Sequence, residues 1–356
     1  MSNFKYFPII KTRDAELRCF KNLSKDVLKE LLPIYELTKS RKTKVAPDGD
    51  IHRRMLQIKE IQQGNPYILD LSTNPKYINP QIEQLFDEYN GFIEWQYFLN
   101  LYKDQNIIPM VHLVDDVNTF NEVGKFVHQM SQIKEHLAVR IPHDLEPEEL
   151  KSYIKPIVDN LQNGCTLIVL LDACYVRELA EANMDGLVQD FSASTQASLD
   201  LGEDIEDVVM LCTSFPSSTV KEAKGEKADF DGIFRSYEEE IYQKIKRNHS
   251  SIKYGDYASI NTEQIEMKGG TFVPRIDIAL DDGFIYKRYR RDDGSYPRCA
   301  KQMKLDPRYN QNMGSWANKE IELASQDSPT GISPSYWISV RMEYYIRTRL
   351  ALRSST

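Results

Sequence analysis

The 356-residue chain contains no CxxC pair, no GxSxG elbow and no GxGxxG or GxxxxGK[ST] loop. Zinc clusters and redox dithiols need closely spaced cysteines. Here the five (Cys19, Cys165, Cys174, Cys212 and Cys299) are scattered and odd in number, as expected in a reducing cytoplasm. The missing glycine loops remove the strongest marker of the common nucleotide-binding folds. The missing elbow argues against a nucleophilic serine at Thr213–Ser214. No apolar run approaches the roughly 20 residues that span a bilayer. The opening "MSNFKYFPII" lacks the charged-then-apolar layout of a signal peptide and reads as structure, so a cytoplasmic location is expected. Positive charge is also short: 45 Lys and Arg against 53 Asp and Glu leave a net charge of -8. A general nucleic-acid coat is thereby excluded, and any polyanion contact must be local. The histidines form no metal set: His52 and His128 fall on helical patterns, His112 inside a strand, and only His143 follows a strand end.

What the chain does have is a repeated alternation. Short apolar runs begin near residues 6, 32, 67, 107, 136, 166, 207 and 251, and nearly every one is followed by a helical pattern. Continuous apolar strands indicate burial on both faces, as in parallel sheets. This spacing predicts a (β/α)8 TIM-barrel-like domain over 1–260 in which the first strand pairs with the eighth. An open doubly wound sheet is the competitor, because periodicity does not show closure. The tail, 261–356, breaks the rhythm. "FVPRIDIALDDGFIYKRYRR" predicts a hairpin turning at Asp-Asp-Gly, "DDGSYPRCAKQMKLDPRYNQNMGSW" a polar loop, and "SPSYWISVRMEYYIRTRLAL" an amphipathic helix packed on the barrel.

In such a barrel the C-terminal strand ends converge on one mouth. The residues there are Lys11 and Arg13, Glu36 and Lys39, Asp70, Asp115 and Asp116, Arg140 and His143, Asp172, Thr213 and Ser214, and Asp256. Lys11, Glu36, Asp70, Arg140, Asp172 and Asp256 are the catalytic candidates. Converging carboxylates without cysteine would suit a hard cation such as Mg²⁺. Lys11 and Arg140 could hold a phosphate or carboxylate, or depress a neighbouring carboxylate's pKa. Metal-assisted phosphoester cleavage and acid/base work on a polar metabolite both remain open. So does a plain charge network, with Asp115–Asp116 capping a helix. In "YKRYRR", the cations Lys287, Arg288, Arg290 and Arg291 would suit a nucleic-acid backbone or an acidic protein partner. The alternative is an edge strand protected by charge.

The order of pieces then matters. "YFPIIKTRDAELRCFKNL", "LLPIYEL", "YILDLS", the "GDY" of the eighth strand and a late tryptophan helix resemble the beta protein family of phages and mobile elements. The resemblance implies a barrel-like fold and a place in phage-encoded or anti-phage gene cassettes, with a phage protein or companion toxin as partner. It carries over no biochemical activity. By the match, Lys11, Glu16, Glu36, Asp70 and Asp256 fall on recurrent positions. One departure is visible: Trp337 leads into "RMEYYIRT", without the histidine that family members tend to show there. Two functions follow as expectations: an enzyme acting on a phosphorylated or nucleotide-like ligand, or a non-catalytic sensor or toxin-restraining module.

Overall fold

The computed structural model of the protein describes residues 4–113, 120–223, 230–262 and 272–354. Its strands are β1 (Phe7–Lys11), β2 (Ile34–Leu37), β3 (Tyr67–Leu71), β4 (Ile107–Val111), β5 (His136–Pro142), β6 (Thr166–Tyr175), β7 (Ile205–Thr213), β8 (Phe230–Arg235), β9 (Lys253–Asp256), β10 (Arg275–Ala279) and β11 (Gly283–Arg288). The barrel helices are α1 (Asp14–Lys21), α2 (Lys25–Lys29), α3 (Ile51–Gln62), α4 (Pro80–Leu85), α5 (Tyr89–Leu101), α6 (Phe120–Met130), α7 (Pro147–Val158), α8 (Arg177–Leu199), α9 (Thr219–Glu222) and α10 (Glu238–Asn248). The tail adds α11 (Ser295–Leu305), α12 (Trp316–Ser325) and α13 (Pro334–Ser354).

Strands β1 to β7 and β9 form a closed barrel of parallel neighbours, and β1 pairs with β9. The expected (β/α)8 architecture and its closure are both present. Alternation along each strand sorts the side chains into two cores. Phe7, Ile9, Ile34, Ile68, Ile108, Ala138, Ile168, Leu170, Val209 and Leu211 point inward and fill the barrel. Tyr6, Ile10, Tyr35, Leu69, Val139, Val169, Met210 and Tyr254 point outward beneath the helices. Leu32, two residues before β2, belongs to the inner set and is fully buried.

Three expectations need correction. Residues 230–235, which fall between the seventh apolar run and the helical pattern after it, form β8, which leaves the barrel and joins the hairpin in a three-stranded antiparallel sheet of order β10-β11-β8. The hairpin is therefore completed by a strand from the barrel half of the sequence, and β11 is its central strand rather than an edge. The stretch 292–316, read as a polar loop, contains the whole of α11; its Tyr296, Cys299, Ala300 and Met303 are buried. Helix α13 is not one-sided. Residues 339–346 are buried without interruption because it lies between α1 of the barrel and β10 of the small sheet. Between β3 and β4 the chain forms two helices, α4 and α5, and Asn90, Gly91 and Phe92 within α5 are all left-handed. A Cβ on Gly91 would lie 3.0 Å from Lys125 Cβ, so α5 meets α6 there by close backbone approach. Among the described residues no helix is long and apolar enough to cross a membrane.

Closure rests on Gly255. It faces inward between β7 and β1, and a Cβ there would lie 2.4 Å from Leu211 Cδ2, 2.7 Å from the Phe7 carbonyl oxygen and 3.0 Å from that of Met210. Two of these obstacles are backbone and cannot rotate away. Gly255→Ala is expected to cost roughly 1–3 kcal/mol by overpacking. Urea denaturation checks this, and an unchanged midpoint would show that the closing strands can separate freely.

Candidate functional site

The mouth follows from register. Lys11 is the Cα partner of Glu36, and Glu36 that of Asp70, so three neighbouring strands present Lys11, Glu36 and Asp70 side by side. Each is two residues beyond an inward apolar side chain (Ile9, Ile34 and Ile68), so each points into the barrel's C-terminal end. Arg140 on β5 and Asp172 on β6 continue the same inward series after Ala138 and Leu170.

Arg140 is the centre. Its Nη2 lies 3.0 Å from Asp70 Oδ2, and its Nη1 lies 3.5 Å from Glu36 Oε2 and 3.6 Å from Asp172 Oδ2. Burial works against the charged guanidinium, but Asp70, Glu36 and Asp172 together hold its proton affinity well above the ordinary arginine value. Glu36 also takes a 2.8 Å hydrogen bond from Ser72 Oγ and faces the Lys11 ammonium at 3.7 Å. Asp172 accepts from Tyr257 Oη at 2.6 Å and from the Cys174 amide at 2.8 Å. Cys174 has φ of +53°, a left-handed turn that swings its backbone N–H onto the carboxylate.

Asp70 is the least well supplied. Its Oδ1 accepts from the Leu71 amide at 2.8 Å, but Oδ2 meets Arg140 only as an ion pair outside hydrogen-bond geometry. Burial pushes its carboxyl from 3.8 up to about 6; Arg140 pulls it down, and Glu36 and Asp172 add to the rise. The mouth opens into a cavity of about 490 Å³ lined by Lys11, Glu36, Arg140, Asp172, Cys174 and Tyr257, with Thr73, Asn74 and Thr262 at its rim. The side chains of Lys11 and Arg140 are 12% and 19% exposed, so both cations reach this space.

The remaining candidates lie elsewhere. Asp256 faces outward: it sits between the barrel wall and α13, where its carboxylate accepts from Tyr6 Oη, Tyr254 Oη (2.5 Å), Tyr345 Oη (2.6 Å) and the Ala258 amide (2.7 Å). Its place after the inward Gly255 makes it outward by alternation. Thr213 and Ser214 surround the buried Glu238, which accepts from the Ser214 amide at 2.6 Å and its hydroxyl at 2.8 Å. His143 packs against Phe191 with ring centroids 4.6 Å apart, and burial lowers its pKa. Glu16, on α1, is buried beside the mouth rather than in it, and burial raises its pKa. Arg13 and Lys39 line an adjoining groove. Asp115 and Asp116 lie outside the described residues.

No group of three or more His, Cys, Asp or Glu side chains is placed to hold a metal ion among the described residues. The physical reason is Arg140: its guanidinium stands where the three mouth carboxylates would otherwise converge on a cation. In the small sheet, Lys287 is buried with its ammonium 3.1 Å from Asp231 and 3.2 Å from Asp306, so it serves packing between β8, β11 and the chain after α11. Arg308, then Lys287, hold the Asp306 carboxyl well below the ordinary range. Arg288 is half-buried, and only Arg290 and Arg291 of the four hairpin cations are exposed. Tyr257 and Cys174 were the mouth residues not singled out from sequence. Alternation past Gly255 and Asp172 is the signal that locates both.

Fold and mouth together define a closed (β/α)8 barrel protein whose C-terminal end is filled by one arginine-centred ion cluster. A family model described as Beta protein matches residues 6–351, and the chain belongs to that family. It is 27% identical over 357 aligned residues to Protein beta of Enterobacteria phage P4, a match that covers 98% of this chain and 94% of that one. No solved structure matches the chain.

The elevated Asp70 gives a signed expectation. Its folded pKa, about 6, lies above the ordinary 3.8, so the folded state binds the proton more tightly than the unfolded chain. Its contribution to stability is complete below the unfolded pKa and is lost as pH rises through about 6. The native protein should therefore lose on the order of 2–3 kcal/mol relative to Asp70→Asn between acid and neutral pH. Urea denaturation of both proteins at pH 4 and pH 7.5 checks this, and parallel pH profiles would place the Asp70 pKa in the ordinary range.

Proposed function

We propose that the protein acts in phage defence or inter-phage competition by binding a small phosphorylated or nucleotide-like ligand in the barrel mouth and moving a proton on it. The observation that carries this reading is the Asp70 carboxyl, raised to about 6 and buried behind Arg140, whose guanidinium lines a concave mouth of about 490 Å³. A carboxyl near that value can exchange a proton close to neutral pH, as general acid/base chemistry requires. Lys11 and Arg140 supply the cationic contacts for an anionic group, and Tyr257 holds Asp172 in place beside them. Hydrolysis of a phosphoester is the reaction class that best uses two cations and one proton-transferring carboxyl.

Charge sets the binding condition. Three carboxyl groups, Glu36, Asp70 and Asp172, face the two cations Lys11 and Arg140, and a proton on Asp70 removes one negative charge from the cluster. A phosphorylated ligand should therefore bind more tightly as pH falls through about 6. Asp70→Asn should flatten that dependence, retain binding at neutral pH and lower any turnover by about 10²–10⁴-fold. Ligand release analysed by mass spectrometry identifies the probe, and calorimetry across pH with native and Asp70→Asn protein gives the readout. Turnover undiminished in Asp70→Asn would remove Asp70 from the chemistry.

A non-catalytic sensor or toxin-restraining module is favoured by one feature, the internal pairing of Arg140 with all three carboxylates. On that reading Lys11→Ala and Asp70→Asn leave the protective phenotype intact. On the enzyme reading both abolish it.

A further inference from the structure

Beside the mouth, the turns after β1, β2 and β3 enclose a second concavity of about 490 Å³. Its lining carries six cations, Arg13, Lys39, Arg41, Lys42, Arg54 and Lys76, against the two carboxylates Asp14 and Glu16. Such an excess is unusual in a chain of net charge -8. Asp14 is already shared by two of the cations, at 2.9 Å from Arg41 and 3.1 Å from Arg54. Glu16 is buried, which raises its pKa and weakens it as a counter-charge. Arg54 is 4% exposed and spends Nη1 on Asp14 and Gln57, yet its buried Nε has no hydrogen-bond partner among the described residues. An unmet buried donor in the wall of a cationic groove points to an acceptor supplied from outside.

The groove is built rather than incidental. The β2–α3 loop is pinned at its base: Gly49, at φ +83°, lies against Ser40, where a Cβ would come within 2.5 Å of the Ser40 carbonyl oxygen. The Asp50 amide donates to Ser40 Oγ at 3.0 Å, closing the loop that displays Arg41 and Lys42. The wall shared with the mouth is Tyr77, whose ring lies 5.1 Å from the Arg13 guanidinium and 5.7 Å from the Lys11 ammonium. One ring thus lies near both a groove cation and the mouth cation.

We infer that this groove binds a phosphate chain, the terminal phosphates of a nucleotide-like ligand, next to the mouth. A phosphate chain concentrates several charges within the span of one small cavity, matching cations gathered from three loops, and arginine forks fit phosphate oxygens in pairs. An acidic peptide spreads its charges along an extended backbone and would need a longer track than this concavity offers. The inference extends the reading of the mouth, but the groove's own affinity is measurable without it.

The test uses the full chain and tripolyphosphate, ATP, a 5′-triphosphorylated RNA oligonucleotide and polyglutamate, titrated by calorimetry at 50 and 200 mM salt. Tripolyphosphate should bind, and more weakly at the higher salt. Lys39→Gln combined with Lys42→Gln should weaken it at least tenfold, and Lys42→Glu alone, at an exposed position, is the second variant should the pair not fold. Lys11→Ala should leave tripolyphosphate affinity within about twofold, so a failed mouth ligand and a failed groove are distinguishable. ATP and the RNA decide whether the phosphate chain belongs to a free nucleotide or to a nucleic-acid end. No binding of tripolyphosphate, equal binding in the groove variants, or polyglutamate binding as tight as tripolyphosphate overturns the inference.

Discussion

The barrel closes because β9 carries no side chain at the one position where β7 and β1 must approach it together. That constraint at Gly255 fixes the direction of its neighbours: Asp256 must face out and Tyr257 must face in. The outward carboxylate gathers the hydroxyls of Tyr6, just before β1, Tyr254 of β9 and Tyr345 of α13. The inward phenol reaches across to Asp172 in the mouth. Three consecutive residues therefore join closure, attachment of the C-terminal helix and orientation of a site carboxylate.

Two buried carboxylates show how differently the fold treats the same group. Asp256 has a full set of neutral donors, three hydroxyls and one amide, and no need of a cation at hydrogen-bond distance. Asp70 has one amide and an imperfectly aligned guanidinium. Burial without enough donors favours the neutral acid, and Asp70 is the one of the two that stands directly behind the Arg140 guanidinium of the mouth. The contrast separates a fully satisfied carboxylate from an under-supplied one more clearly than position along the strand does.

Most of the barrel was legible because its strands are continuous apolar runs, and the inward cluster of Lys11, Glu36, Asp70, Arg140 and Asp172 follows from counting in twos along them. Asp256 was misplaced by treating every strand end as mouth-facing, which ignores alternation past Gly255. The tail was harder. Turn-forming residues in "DDGSYPRCAKQMKL" hid α11, whose buried face is only Tyr296, Cys299, Ala300 and Met303. No local pattern announces that β8 abandons the barrel, since its partner is far away in sequence. Lys287 looked like surface charge, but Asp231 and Asp306, the partners that bury it, come from separate segments.

The excursion of β8 also orders events in time. Phe230 to Arg235 pair only with Arg288 to Gly283, roughly 50 residues further along the chain. At translation rates of about 5–20 residues per second, that partner emerges some 3–10 seconds later. During the interval the barrel strands can associate while β8 waits with Phe234, destined to stack on Phe284 at 5.2 Å, still uncovered. The Tyr345 hydroxyl reaches Asp256 later still, 89 positions downstream. A chain made only as far as residue 260 therefore holds every barrel strand yet leaves one strand without its sheet and Phe234 without its stacking partner.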